Sequence, residues 1–339
     1  MRVFLTHSAR AAALLILTAA SACDNVQWGG ASVQLVDPPP ASDVAQGAAV
    51  AEGTTSLGLP TGSVLFHVVR GPNGAQITPV AEISGDSLRT LRRPAGVSPE
   101  AYEQRFRRAV LEPNSQFVLF RRGARVGTLS LLAPGPVTSC GVPTGTGVAT
   151  TVAAAAAERD FIAFRKGLEP DVIGEFSPPQ VEGSIRRYGP LVAERLVLQN
   201  GLARPRSWPG AQRDIQALDV IRGGHPEMAS TFLVGDQLAT GQPEQDGWSV
   251  FYVASYEQRS GYTPFYTEVS DYRKGGKRAP KLVDYLNWNR TGGADMLVQV
   301  FGARDVWYQA VSQDRGGRWS RVWEGTACRG DTPSETGAR

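Results

Sequence analysis

The sequence has little of the residue types that most often carry catalysis or bind transition metals. It contains 3 His, 3 Cys and 3 Met in 339 residues, and His is the commonest general base and metal ligand. After the first ten residues only His67 and His225 remain. The apolar strand pattern around His67 indicates a packed or edge side chain, and Gly224 and Pro226 beside His225 indicate a turn. No Cys-x-x-Cys or His-Glu-x-x-His pattern occurs, so we predict no catalytic residue, no metal site and no cofactor.

The sequence also lacks a large charge excess and a long apolar run. Its formal net charge is +3, which becomes +1 (3 − 2) if Arg2 and Arg10 are lost with a leader. Nucleic-acid binding needs clustered Lys and Arg, so we expect no nucleic-acid partner. The uncharged run at residues 11–20 is about half the roughly 20 residues that cross a bilayer as a helix. We therefore expect that the mature chain does not span a membrane.

The first 23 residues combine a basic head, an apolar core and small residues before a cysteine. This order is typical of a signal peptide, here residues 1–22. Ser21, Ala22 and Cys23 resemble the lipobox of bacterial lipoproteins. The resemblance implies palmitate-type acylation of Cys23, membrane lipid as a partner, and a cell-envelope protein whose folded part is periplasmic or surface-exposed. Whether the inner or the outer membrane holds the anchor stays open.

Two alternatives accompany the lipobox interpretation. Ala20 stands where that family usually has Leu, and the order Ala-Ser-Ala also fits an ordinary secretion site. The three cysteines favour lipidation, because acylating Cys23 leaves Cys140 and Cys328 as a pair. We predict a disulfide between these two in an oxidising compartment, and two buried free thiols are the alternative.

Composition divides the remaining chain into four segments. Residues 23–62 are rich in Pro, Ala, Gly and Ser and predict a tether. Residues 63–145 predict a small α+β unit, residues 146–328 a β-rich unit, and residues 329–339 a disordered tail. The predicted fold class is therefore α+β, with a mostly antiparallel β C-terminal unit that carries one or two helices.

Local patterns predict the individual elements. Strands are expected at 64–69, 77–83, 117–120 and 126–132, with a helix that begins at Ser98-Pro99 and stops at Pro113. A second helix is expected over 190–200, with Pro190 in its first turn. Apolar runs then recur at 215–221, 228–234, 248–256, 265–272, 282–288, 296–301, 306–311 and 319–323. They predict an antiparallel sheet, a sandwich or a partly closed sheet, in which 248–256 is buried on both faces.

The string Gly85-Asp86-Ser87-Leu88 matches the block that names the GDSL esterases and lipases. The resemblance implies Ser87 as a nucleophile, and His225 is the one histidine downstream of it. In that family an Asp stands three residues before the His, whereas here that residue is Arg222, and the family's Asn-Asp pair is missing from the sequence. A serine without its base does not attack, so we interpret the string as a turn after the strand that ends at Ile83. An envelope serine hydrolase is the alternative function.

Residues 287–295 resemble the D-x-D-x-D-G loop of FG-GAP and VCBS-type repeats. That resemblance implies a calcium site with ligands at Asn287, Asn289 and Thr291. Asp295 alone supplies charge, and neutral oxygens alone bind calcium weakly, so we expect a hairpin loop without an ion. A calcium-dependent adhesion module is a further alternative.

Taken together, the residues predict a non-enzymatic binding or structural module held at a membrane. The aromatic side chains of the C-terminal strands are expected to face a core. Whether the ligand is a protein or a glycan stays open.

Overall fold

The computed structural model describes residues 58–172, 176, 182–221, 225–289 and 293–330. The predicted signal peptide, Cys23 and most of the predicted tether lie outside these residues. Strands make up 49% of the described residues, beside four α-helices. The antiparallel strands predicted for the C-terminal unit are confirmed, whereas the α+β label fits the mostly β fold only loosely. None of the helices described is long and apolar enough to span a membrane.

Seven strands form the first sheet, and every pairing in it is antiparallel. They are β1 (Val64–Gly71), β2 (Gly74–Ser84), β3 (Ser87–Thr90), β4 (Gln116–Arg121), β5 (Ala124–Val137), β6 (Pro143–Thr151) and β7 (Asp160–Arg165). Their order is β1-β7-β4-β5-β6-β2-β3, and β1 also pairs with β2. The sheet therefore closes into a ring that leaves β3 at one edge. Because β6 and β7 belong to it, this sheet extends past residue 145.

Helix α1 (Pro99–Val110) packs against the inward-facing side chains of this ring. The Ser98 hydroxyl accepts the Ala101 N–H at 3.2 Å and Pro99 occupies the first turn, as the sequence predicts. Tyr102 and Phe106 of α1 pack against inward-facing side chains of the ring such as Phe117. Burying a side chain like Phe106 contributes on the order of 1.5–3 kcal/mol.

Two further antiparallel sheets follow. The second contains β8 (Gln212–Leu218), β9 (Glu227–Val234), β10 (Trp248–Glu257) and β11 (Gly261–Asp271) in the order β11-β10-β9-β8. The third contains β12 (Ala279–Leu286), β13 (Asp295–Phe301), β14 (Asp305–Gln313) and β15 (Trp319–Glu324), and β16 (Cys328–Arg329) pairs with β14. Helices α2 (Glu182–Gln199), α3 (Trp208–Ala211) and α4 (Tyr272–Gly275) complete the fold.

The third sheet packs between the other two. Leu297 and Ala310 share a core with the outer face of the first sheet, whereas Val298 on the opposite face packs with Phe251 of β10. The other face of β10, including Tyr252, packs against α2. The prediction that residues 248–256 form a strand buried on both faces is therefore confirmed for most of its length.

The second predicted helix begins earlier than expected. Pro190 was expected in the first turn, but α2 begins at Glu182 and contains Pro190 in its interior. The predicted start at Pro190 was wrong. Pro favours the first turn of a helix, but here tertiary packing offsets the free-energy cost of about 3 kcal/mol for a Pro in the helix interior. Val192 and Val197 of α2 are buried against the second sheet.

Cys140 and Cys328 form the disulfide that the sequence predicted. Their Cα atoms lie 5.2 Å apart across a sequence separation of 188 residues. The bond connects the segment between β5 and β6 to β16. In the chain-entropy model a loop of this length stabilises the fold by about 5 kcal/mol.

Candidate functional site

A cleft lies between strands β1 and β2 of the first sheet and the strands of the third sheet near the disulfide. Its volume is ≈ 240 Å³. The side chains lining it that matter most here are His67, Val69, Gln76, Thr78, Gln299, Tyr308, Trp323 and the Cys140–Cys328 disulfide. Aromatic and neutral hydrogen-bonding groups thus converge at one place, which is the usual composition of a ligand site.

Strand alternation explains why these side chains share a face. Successive residues of a strand point to opposite faces, so Phe66 and Val68 enter the α1 core whereas Leu65 and His67 point away from it. Leu65 belongs to the apolar core under the third sheet. From His67 onward this outer face becomes one wall of the cleft. The register places His67 opposite Thr78 and Val69 opposite Gln76.

A chain of polar contacts leads from the cleft into the interior. The Tyr308 hydroxyl lies 2.9 Å from Nδ1 of His67, and Nε2 of His67 lies 3.0 Å from Oδ1 of Asp160. Lys281 donates from Nζ to Oδ2 of Asp160 at 2.9 Å. Burial by itself would raise the pKa of Asp160. The hydrogen bonds and charges of His67 and Lys281 outweigh it and hold that pKa well below its ordinary value.

The ionised carboxylate sets the direction of these hydrogen bonds. An Asp carboxylate only accepts, so Nε2 of His67 donates to Asp160. The hydrogen bond to Nδ1 of His67 holds the Tyr308 hydroxyl in place, and Nε2 of Gln299 donates to the same phenolic oxygen at 3.5 Å.

The order Tyr, His, Asp is also that of a nucleophile, its base and an orienting acid. Burial and the nearby charge of Asp160 raise the pKa of Tyr308. The hydroxyl therefore keeps its proton at neutral pH, and a neutral phenol is a weak nucleophile. The arrangement is better suited to holding Tyr308 in one orientation than to activating it.

A second polar cluster lies behind the cleft and joins the three sheets. Arg121 of β4 donates to Glu158 at 2.6 Å and to the Val283 carbonyl at 2.9 Å, and its guanidinium lies 3.4 Å from Asp284. Gln216 of β8 accepts from the same guanidinium at 3.2 Å. All of these bonds are internal to the fold, so we assign this cluster a structural role.

The structure places Ser87 and His225 in separate local environments. Ser87 follows the turn at Gly85-Asp86 and is exposed, and its hydroxyl donates to the Ser84 carbonyl at 2.9 Å. The ring of His225 lies against Tyr256, with centroids 5.0 Å apart. In the part of the chain that is described, no hydrogen bond joins Ser87 to a histidine. Gly85 and Asp86 form the turn after β2 that the sequence predicted, and Ser87 and Leu88 begin β3.

The loop that resembles a calcium site uses its one carboxylate internally. Asp295 accepts from Asn289 Nδ2 at 2.6 Å and from the Ser312 hydroxyl at 2.5 Å. Burial raises its pKa to about 6, although these hydrogen bonds oppose the shift. Thr291 lies outside the described residues. Within those residues no group of three or more His, Cys, Asp and Glu side chains is arranged to hold a metal ion.

Sequence reasoning found His67 but not its partners. His67 was expected to be a packed or edge side chain, and it is buried with both ring nitrogens bonded. Asp160 and Tyr308 lie 93 and 241 residues away from it, so no local motif could connect them. The one signal that the sequence offered was His67 itself, a polar residue within the apolar run of β1.

Comparison of the chain with known protein families, curated proteins and solved structures found no match. The interpretation of the cleft therefore depends on its own geometry.

Proposed function

We propose that this chain is a lipid-anchored cell-envelope protein whose folded part is a non-enzymatic binding module. The observation that carries the proposal is the cleft between β1–β2 and the third sheet. It combines the aromatic side chains of Tyr308 and Trp323 with neutral hydrogen-bonding groups, and Tyr308 is oriented there by His67 and Asp160. An oriented but unactivated hydroxyl favours recognition over chemistry.

The anchoring part of the proposal draws on the cysteines and on the apolar run before Cys23. Because Cys140 and Cys328 are bonded to each other, Cys23 is the third cysteine, and an acyl group on it would account for all three. In this proposal the partner at the N-terminus is membrane lipid, and no nucleic acid is bound. The folded part faces the periplasm or the cell exterior. The first and third sheets act as one binding unit, because the cleft takes side chains from both.

The binding proposal is tested by filling the cleft. Val69 lines it and is 38% exposed, so Val69→Trp adds an indole to the cleft without displacing the core. Val148 of β6 is 52% exposed and does not line the cleft, which makes Val148→Trp a matched control. Ligand-observed NMR with a panel of small neutral, charged and aromatic molecules should show binding that Val69→Trp abolishes and Val148→Trp preserves. If no molecule binds in a manner sensitive to Val69→Trp, the cleft is not the site.

A further inference from the structure

We infer that the cleft binds a single uncharged sugar ring. This inference depends on the proposed binding function and specifies the ligand class of the same site.

The lining of the cleft carries little charge. Arg329, at the exposed end of β16, is the one charged side chain among the described residues that line the cleft. The carboxylate of Asp160 lies behind His67 and is already paired with Lys281. Transferring a charged ligand out of water requires a compensating partner. The cleft interior offers none, so an uncharged ligand fits it best.

The cleft also presents neutral hydrogen-bonding groups. Tyr308 lines it, and a phenolic hydroxyl both donates and accepts. Thr78 adds a second hydroxyl. Gln299 adds an amide with both capacities. A ligand hydroxyl both donates and accepts, and a molecule with several hydroxyls satisfies this mixture of groups.

The shape and size of the cleft also match one ring. Trp323 supplies a flat apolar surface on the side of the third sheet, and aromatic rings combine a large apolar face with a polar edge. A sugar ring has the matching combination of C–H faces and hydroxyl edges. The volume of ≈ 240 Å³ is below the roughly 300–1,000 Å³ typical of sites for drug-sized ligands. One ring therefore fits better than a chain.

Saturation-transfer NMR on the full chain as purified from cells tests the inference with four neutral sugars: glucose, galactose, mannose and N-acetylglucosamine. Glucuronate and glucosamine serve as anionic and cationic rings of the same size, and N-acetylphenylalanine amide serves as an aromatic peptide-like probe. We expect at least one neutral sugar to bind at least tenfold more tightly than either charged ring. That signal should disappear in Val69→Trp and persist in Val148→Trp.

A second variant tests the role of the oriented hydroxyl. Tyr308→Phe keeps the ring and removes the hydroxyl, so we expect about a tenfold loss of affinity for the neutral sugar. Equal or tighter binding of a charged ring, or binding of the peptide-like probe without any neutral sugar, would overturn the sugar assignment and leave the binding function standing. Absence of any probe signal that depends on Val69 would overturn both.

Discussion

At the scale of single residues, the buried polar groups of this protein differ in how well their charge is compensated. Asp160 has a cation and an imidazole beside it. Asp295 is 1% exposed and accepts hydrogen bonds from neutral groups. Lys277 and Asp236 form a buried ion pair at 2.5 Å. These differences lead to separate predictions for stability.

Asp295 should make the protein less stable as the pH rises from about 4 to about 6. Its folded-state pKa is raised to about 6, above the ordinary value of about 3.9. The folded state therefore binds more protons than the unfolded state in this window, and its stability falls as they are released. Asp295→Asn should remove about 2–3 kcal/mol of this pH dependence.

Urea denaturation at several pH values between 4 and 7 measures the effect. Asp86→Asn, in the exposed turn after β2, is a matched carboxyl-to-amide control that should leave the slope unchanged. An Asp295→Asn variant with the wild-type slope would contradict the assignment.

Lys277 should be far more important to stability than its neighbour Lys274. The Lys277 ammonium binds Asp236 and lies 2.6 Å from the Ala239 carbonyl, and the Tyr272 hydroxyl donates to the same Asp236. Removing one partner of a buried ion pair leaves the other uncompensated, so Lys277→Met should cost about 3–5 kcal/mol. Lys274 is 78% exposed, and Lys274→Met should change stability by no more than about 0.5 kcal/mol. Equal losses in chemical denaturation would show that the pair at Lys277 is not stabilising.

At the scale of elements, β16 depends on the disulfide more than the other strands do. It contains two residues and pairs with β14 through Asp305 and Val306, and a pairing this short contributes little by itself. Its position is therefore determined mainly by the bond between Cys328 and Cys140. The same bond lines the cleft, so the shape of the site is connected to the attachment of this strand.

Replacing both bonded cysteines, Cys140→Ser with Cys328→Ser, should release β16. We expect a loss of about 2–5 kcal/mol in unfolding free energy. Hydrogen exchange should become faster at Gly330, whose N–H donates to the Arg304 carbonyl at 2.8 Å. The ladder between β9 and β10 is the internal control and should keep its protection. Unchanged exchange at Gly330 would mean that packing holds β16 without the disulfide.

At the scale of the whole molecule, the protein we propose combines a membrane anchor with a binding unit that contains the Cys140–Cys328 disulfide. Intact mass of the protein purified from membranes, compared with Cys23→Ala, tests this arrangement. We expect an acyl-sized mass in the wild-type chain that the variant lacks, and a two-proton deficit that reductant restores in both. A soluble wild-type chain with an unmodified Cys23 would instead indicate a secreted binding protein.

Local signals of the sequence determined much of the secondary structure. The Ser98-Pro99 start of α1, the strand around 248–256 and the turn at Gly85-Asp86 each depend on residues within a few positions of one another. Backbone preferences and apolar periodicity act at that range. The start of α2 departed from the pattern because packing against the second sheet outweighed the cost of an interior Pro190.

By itself, then, the sequence determined the antiparallel strands of the C-terminal half, the helix α1 and the expected pairing of Cys140 with Cys328, because periodicity, capping and the cysteine count are properties of the linear chain. Only the tertiary structure decided the cleft. His67, Asp160 and Tyr308 belong to β1, β7 and β14, and they meet because the outer face of the first sheet packs against the third. A contact between such distant segments depends on how the sheets are stacked, and no local preference encodes it.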